Sequence, residues 1–420
     1  MDVTLLATIG LIALALLFDY TNGFHDSANS IATVVATRVL KPRWAVLWAA
    51  GWNFVAFFFV GTAVADTIGQ TVHSRYFGLA VVFAALLGAL TWNFASWHLG
   101  LPTSSSHALV GGLVGAGLTA GGLGAIKPES VEKTALFILV SPIAGLVLGG
   151  TVMLALRGLL RRAEVEPTER RFRFLQLLSS AAVSVAHGGN DAQKTMGVIA
   201  ALLVATGHLA AGPGGSLPIP TWVAIVAYLA IAAGTLSGGW RIVRTMGEGI
   251  TKLRPVSGFA SETAAAVSIF GSTALGAPVS TTHTVAGSIT GVGTTKRGAP
   301  VNWTVLGRLA IAWIVTMPAA AAVVCVVYLI STKLPPPAAV AVMAVLLVVL
   351  LGALVVALRR APRAHDVDPG RREVRMGLRP GAGSVIDARG VPASREVIER
   401  GGDLDGAEAA ARAESGSVTW

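Results

Sequence analysis

Two clusters of short hydroxyl side chains, each closed by a histidine, stand 176 positions apart: Pro102-Thr103-Ser104-Ser105-Ser106-His107 and Pro278-Val279-Ser280-Thr281-Thr282-His283. A Leu-Gly pair precedes each, Leu99-Gly100 and Leu275-Gly276, and the match continues through Gly111, Gly115 and Gly117 against Gly287, Gly291 and Gly293. A second duplicated element reads Gly23-Phe24-His25-Asp26-Ser27-Ala28-Asn29 and then Gly188-Gly189-Asn190-Asp191-Ala192-Gln193-Lys194. The hydroxyls of Ser104, Ser105, Ser106, Ser280, Thr281 and Thr282 are donors short enough to reach a tetrahedral oxyanion from several directions. Asp26 and Asp191 suit a small cation or a proton, and because a histidine ordinarily titrates near neutrality, His25, His107, His187 and His283 are candidate proton carriers. Lys194 is open between contact with an anion and a salt bridge to an aspartate.

The setting makes these residues costly. The chain is 53% hydrophobic and only 13% charged over 420 residues, more apolar surface than a soluble domain can hide, so a polytopic membrane protein is expected. Runs of spanning length fall at 3–37, 44–66, 78–100, 104–126, 134–156, 176–203, 220–239, 256–277, 281–295, 304–331 and 336–358, and runs this long mean helices, not strands. An aspartate at mid-bilayer costs about 2.5–3.5 kcal/mol unless it is paired or binds an ion. Each lies three residues after a glycine that would let its helix unwind. Duplicated polar breaks in a hydrophobic chain point to a carrier of two halves sharing one central site.

The charges of the loops give an orientation. Arg38, Lys41 and Arg43 mark the first loop of half one as cytosolic, whereas the corresponding loop of half two, 204–219, has no Lys or Arg. The second loop of half two carries Arg241, Arg244, Lys252 and Arg254, so the bias reverses between halves, as an inverted repeat requires. Arg157, Arg161, Arg162, Arg170, Arg171 and Arg173 place the middle of the chain inside, Arg359, Arg360 and Arg363 the tail, and parity the amino terminus outside. The expected fold is an all-α polytopic membrane protein, an inverted-topology repeat with broken helices. In it 78–126 and 256–295 are either re-entrant hairpins or full crossings. Half one covers 1–160 and half two 174–332, joined by a basic cytosolic linker at 161–173. An extra helix at 336–358 and a disordered cytosolic tail at 359–420 follow. The net charge of +10 belongs to these loops and does not imply nucleic acid. Cys325 reads as a packing thiol, and the first run is too long for a cleaved signal peptide.

Together the two Gly-x-(Asn/His)-Asp elements and the two Pro-x-Ser-(Ser/Thr)-(Ser/Thr)-His loops resemble the inorganic phosphate transporter family over roughly residues 15–330. The wording Asn22-Gly23-Phe24-His25-Asp26 and His187-Gly188-Gly189-Asn190-Asp191 is similar to its bacterial low-affinity branch. The resemblance implies symport of inorganic phosphate, in bacteria often as a neutral divalent metal–phosphate complex, driven by protons or, in other branches, by sodium. It implies no cofactor and no enzymatic activity. By position, Asp26 and Asp191 correspond to the family's aspartates near the phosphate and cation sites, Asn29 and Asn190 to its amides, and the six loop hydroxyls to its phosphate ligands. His25 stands where many members have Asn, and Lys194 where the first repeat has Asn29. Asn53 occupies a place where sodium-coupled relatives carry glutamate, while Glu262 keeps the acid in half two; this leans the coupling toward protons.

Plainer readings stand beside these. Any loop hydroxyl could cap a helix; His107 and His283 could only support the tips; Asp19, Asn22 and Gln193 are expected as flanking residues. The glycines after each loop are expected at close helix contacts. The rivals are a carrier for another oxyanion such as sulfate or arsenate, a passive channel, and an intramembrane hydrolase using Ser104 or Ser106 with His107 and Asp26. The last lacks a Gly-x-Ser-x-Gly elbow. Expected partners are phosphate and the lipid bilayer of the cell membrane, with a homodimer left open.

Overall fold

The computed structural model describes residues 3–296, 301–360 and 362–367. Thirteen α-helices occur among them: α1 (Val3–Ala36), α2 (Pro42–Val55), α3 (Ala63–Gly69), α4 (Leu79–His98), α5 (Ser105–Gly121), α6 (Pro128–Leu160), α7 (Val165–Ala205), α8 (Thr221–Ser237), α9 (Trp240–Glu248), α10 (Pro255–Ala274), α11 (Thr281–Thr294), α12 (Trp303–Lys333) and α13 (Pro336–Arg360). Prolines at the first turn open α2, α6 and α10, where a missing N–H costs nothing. Among the described residues six helices are long and apolar enough to cross a membrane, eight if each bent pair counts as one span. The chain is thus an all-α polytopic membrane protein. Of the tail expected at 359–420, Arg359 and Arg360 end α13 and Ala364–Asp366 form one 3-10 turn, and from 368 onward it lies outside the described residues.

The first twelve helices repeat one order: a long helix, a bent pair, a two-helix hairpin and a long helix. The bends are 90° between α2 and α3 and 74° between α8 and α9, so 44–66 and 220–239 fall in bent helix pairs. The repeats interlock. Helix α1 packs on α8 and α9, and α7 on α2 and α3; α5 packs on α12, and α11 on α6. Helices α1 and α7 run antiparallel: Asp26 meets His187 and Asp191, while Thr37, just past the end of α1, donates to Gln176, further back on α7, at 2.9 Å. That opposition is the expected inversion.

Two expectations need correction. Helices α1 and α7 are continuous through Gly23 and Gly188; neither is broken at its aspartate. The glycines serve close approach instead. A Cβ on Gly23 would fall on the Ile231 backbone of α8, and one on Gly188 on the Asn53 backbone of α2. The basic linker expected at 161–173 is also shorter as a connection, because α7 begins at Val165 and carries most of it. Gly111 and Gly115 meet the backbone of Met317 and Ala321 on α12, and Gly287 and Gly291 that of Pro142 and Leu146 on α6, as small-residue packing predicts. Cys325 packs beside Thr119.

Gly23→Val or Gly188→Val should therefore cost upward of about 3 kcal/mol, the high end of overpacking, because rigid backbone stands in the way. Thermal unfolding of the purified variants in detergent checks this, and an unchanged midpoint would remove the seam from the account.

Candidate functional site

The chain does break between α4 and α5 and between α10 and α11, at the hydroxyl loops. The Ser104 side chain accepts from the His107 N–H at 3.2 Å, and Ser280 from the His283 N–H at 3.2 Å, so both serines are N-caps. Ser105, Ser106, Thr281 and Thr282 form the first turns of α5 and α11, where a helix leaves N–H groups unbonded and carries a partial positive charge. Both tips are buried and they touch. The His107 and His283 rings meet edge to face at 4.5 Å, His283 stacks on Trp313 at 4.1 Å, and Ser106 donates to the Val279 carbonyl at 3.1 Å. Trp313 also donates to the Pro102 carbonyl at 3.1 Å. Each helix pair thus turns back at a tip in the protein interior.

The unbroken helices α1 and α7 bring the acids to these tips. Asn29 donates from Nδ2 to the hydroxyls of Thr281 and Thr282 at 3.1 and 3.0 Å. Those hydroxyls donate onward, Thr282 to Asp26 Oδ1 at 3.3 Å and Thr281 to Asp191 Oδ2 at 3.4 Å. On the other side Lys194 Nζ donates to Asp191 Oδ1 at 2.5 Å, to the Val279 carbonyl at 3.1 Å, and to the Ser106 hydroxyl. Lys194 thus forms the salt bridge to an aspartate and also reaches a loop hydroxyl, as Asn29 does from the equivalent position. Asp26, Asp191 and Lys194 are 2%, 0% and 0% exposed, so the site is occluded in this conformation.

The histidines frame the acids. His25 Nδ1 lies 2.7 Å from Asp26 Oδ1 and its Nε2 3.2 Å from Ser96 Oγ, to which Thr103 also donates. His187 Nε2 lies 3.4 Å from Asp191 Oδ2. Ligand atoms of Asp26, His187 and Asp191 all lie within 4.8 Å of one another, a carboxylate–imidazole–carboxylate set suited to a divalent cation. With neutral histidines the formal charge of Asp26, Asp191 and Lys194 sums to one negative charge.

Other expected residues sit elsewhere. Asn190 turns to Thr273 at 2.8 Å and the Ala277 carbonyl at 3.3 Å, bracing the approach to the second tip. Gln193 accepts from Val64 N–H at 2.8 Å and ties α7 to α3. Asn53 accepts through its Oδ1 from His187 Nδ1, 3.3 Å away, and donates from Nδ2 to Thr235 at 2.8 Å. Glu262 lies apart, receiving Gln176 at 3.0 Å, Ser179 at 2.5 Å and the Thr33 hydroxyl. Asn53 on α2 and Glu262 on α10 are therefore not counterparts in the repeat. The Ser105 hydroxyl is buried without a partner. Ser96, Thr273 and Trp313 were not foreseen; each acts through a contact between elements far apart in the chain, which no local pattern marks. A hydrolytic triad does not assemble, since Ser104 is a cap and both His107 ring nitrogens lack a partner.

The sequence profile described as the phosphate transporter family matches residues 22–324. The chain is similar to a probable low-affinity inorganic phosphate transporter of Rhizobium meliloti (strain 1021), 51% identical over 325 residues that cover 76% of this chain and 96% of that protein. It is also similar to a protein of the same description from Bacillus subtilis (strain 168), 42% identical over 323 residues covering 76% and 95%. Among solved structures it resembles the sodium-dependent phosphate transporter, with a TM-score of 0.69, 25% identity, and coverage of 78% of this chain and all of that one.

Proposed function

The chain belongs to the phosphate transporter family, a family of transporters and not enzymes, and from that premise we propose that it is a secondary active symporter importing inorganic phosphate with a cation across the cell membrane. One observation carries this reading: two aspartates, a lysine and the first turns of two helices, drawn from both repeats, converge in a single buried site. The hydroxyls of Ser105, Ser106, Thr281 and Thr282, Asn29, Lys194 and the adjoining N–H groups hold the phosphate oxygens. Asn190 supports this cradle from behind, and Ser104 and Ser280 fix its shape as caps.

Charge dictates the coupling. Phosphate brings about two more negative charges to a site that already carries one, and occlusion in a membrane requires these to be offset. Protons on His25, His187 or the acids can do so, and so can a divalent metal carried with phosphate on Asp26, His187 and Asp191. The halves, 1–160 and 174–332, rock about this site in alternating access. The basic residues of the linker and of 359–363 put those segments, and the tail, in the cytosol.

The test is radiolabelled phosphate uptake into proteoliposomes under an imposed proton or sodium gradient, with and without magnesium. Uphill uptake driven by one gradient supports symport and excludes a channel. Uptake that only equilibrates under every gradient sinks it. Hydroxyl donors do not read the central atom, so arsenate should compete; stronger uptake of sulfate than of phosphate would favour the rival oxyanion carrier.

A further inference from the structure

Asp19 lies on α1 two turns before Asp26 and is fully buried. Neither of its carboxylate oxygens meets a donor in hydrogen-bond geometry, and the same holds for the Asn22 amide and the Thr195 and Tyr228 hydroxyls. These groups are neighbours: Thr195 of α7 and Asn22 stand beside the carboxylate, and Tyr228 of α8 feels its charge. Asp191 and Lys194 of α7 are the charged groups that reach it. The lysine is already engaged by Asp191 at 2.5 Å and by Ser106, so it does not neutralise Asp19. The acid also breaks the repeat. With Asp26 matched to Asp191, position 19 corresponds to Ser184, which donates to the Ser180 carbonyl at 2.7 Å. A symmetric phosphate cradle has no use for an acid present in one half only.

We propose that Asp19 is the proton-carrying group of the transport cycle, at a place separate from the phosphate cradle. The proposal rests on the symport reading above. An ionised carboxylate sealed in a membrane interior without a cation is strongly disfavoured. The occluded form therefore holds Asp19 protonated, and opening to water on either side lets it exchange that proton. The conformational change and the proton thus travel together. A metal cation fits less well. Helix α1 is continuous through 19–23, so its carbonyls stay in helical bonds. Only the carboxylate, one amide oxygen and two hydroxyls remain, whereas hard cations take six or more oxygens.

The experiment compares wild type and Asp19→Asn, as full chains in proteoliposomes, in two assays. Exchange of labelled for unlabelled phosphate needs no net proton movement, whereas accumulation under an imposed pH gradient does. Wild type should accumulate about tenfold per proton for each unit of pH difference, a factor of ten being 1.36 kcal/mol. Asp19→Asn should keep exchange but accumulate to a ratio near unity, with uptake no longer stimulated by external acid, and Asp19→Glu should restore coupling. Gradient-driven accumulation by Asp19→Asn equal to wild type overturns the proposal, as does joint loss of exchange and accumulation, or wild-type accumulation driven by sodium alone. Should Asp19→Asn fail to fold, Asp19→Ser, which copies Ser184, is assayed in its place; if neither neutral variant folds, the acid is structural and the proposal falls. A wild type that moves no phosphate in either assay would instead sink the symport reading.

Discussion

Asp191→Asn should abolish phosphate accumulation and destabilise the protein at the same time. The two effects have separate causes. Asp191 and Lys194 form a fully buried pair at 2.5 Å, and removing one member leaves the other charge unmatched, a loss of about 3–5 kcal/mol. Asp191 also faces Thr281 and His187 across the site, where the symport proposal places a divalent metal carried with phosphate. A loss there of about 3 kcal/mol lowers uptake at limiting phosphate by about 100-fold. The double variant Asp191→Asn with Lys194→Met separates the causes. Replacing a buried ion pair by neutral groups of similar size is often neutral for stability, so the melting midpoint should recover while uptake stays abolished. If the double variant transports as wild type does, the pair is only a structural strut and the central site loses one of its two acids.

This pair also shows how far a sequence can be read. Asp26, Asp191 and the loop hydroxyls stood out because polar residues inside apolar runs are conspicuous, and because each motif occurs twice. Their convergence followed from the inversion, itself legible in the loop charges. What Gly23 and Gly188 do was not legible. A glycine before a buried aspartate can unwind a helix or admit a neighbouring one, and only the presence of Ile231 and Asn53 against those sites decides for the second. Glu262 was conspicuous for the same reason as the other acids, yet Thr33, Gln176 and Ser179 satisfy it from two other helices. Those three residues carry no signal of their own. Among the helices that do the positioning, α1 and α5 count as spans and α11 is too short to, while α7 and α10 are long enough but do not count by composition. Other helices shield their polar faces from lipid, which loosens the link between hydropathy and membrane depth where the site lies.

The capped tips give a second large effect with a built-in control. Thr281→Val with Thr282→Val keeps the shape of the tip and removes two hydroxyls that relay between Asn29 and the two aspartates. Hydrogen bonds to charged groups contribute about 1.5–3 kcal/mol each. Losing two of them from a bound phosphate should raise KM by roughly 100-fold or more, at about 1.4 kcal/mol per decade. Ser280→Ala, one residue earlier, should behave oppositely. Its oxygen is engaged by the His283 N–H at 3.2 Å, so its loss costs the start of α11 about 1 kcal/mol, as for other N-caps, and moves KM far less. Concentration dependence of uptake, set beside thermal unfolding of each variant, gives both quantities. A valine pair that leaves KM unchanged while Ser280→Ala raises it would move phosphate off the first turn and onto the caps, and the two helix amino termini would then no longer be what binds it.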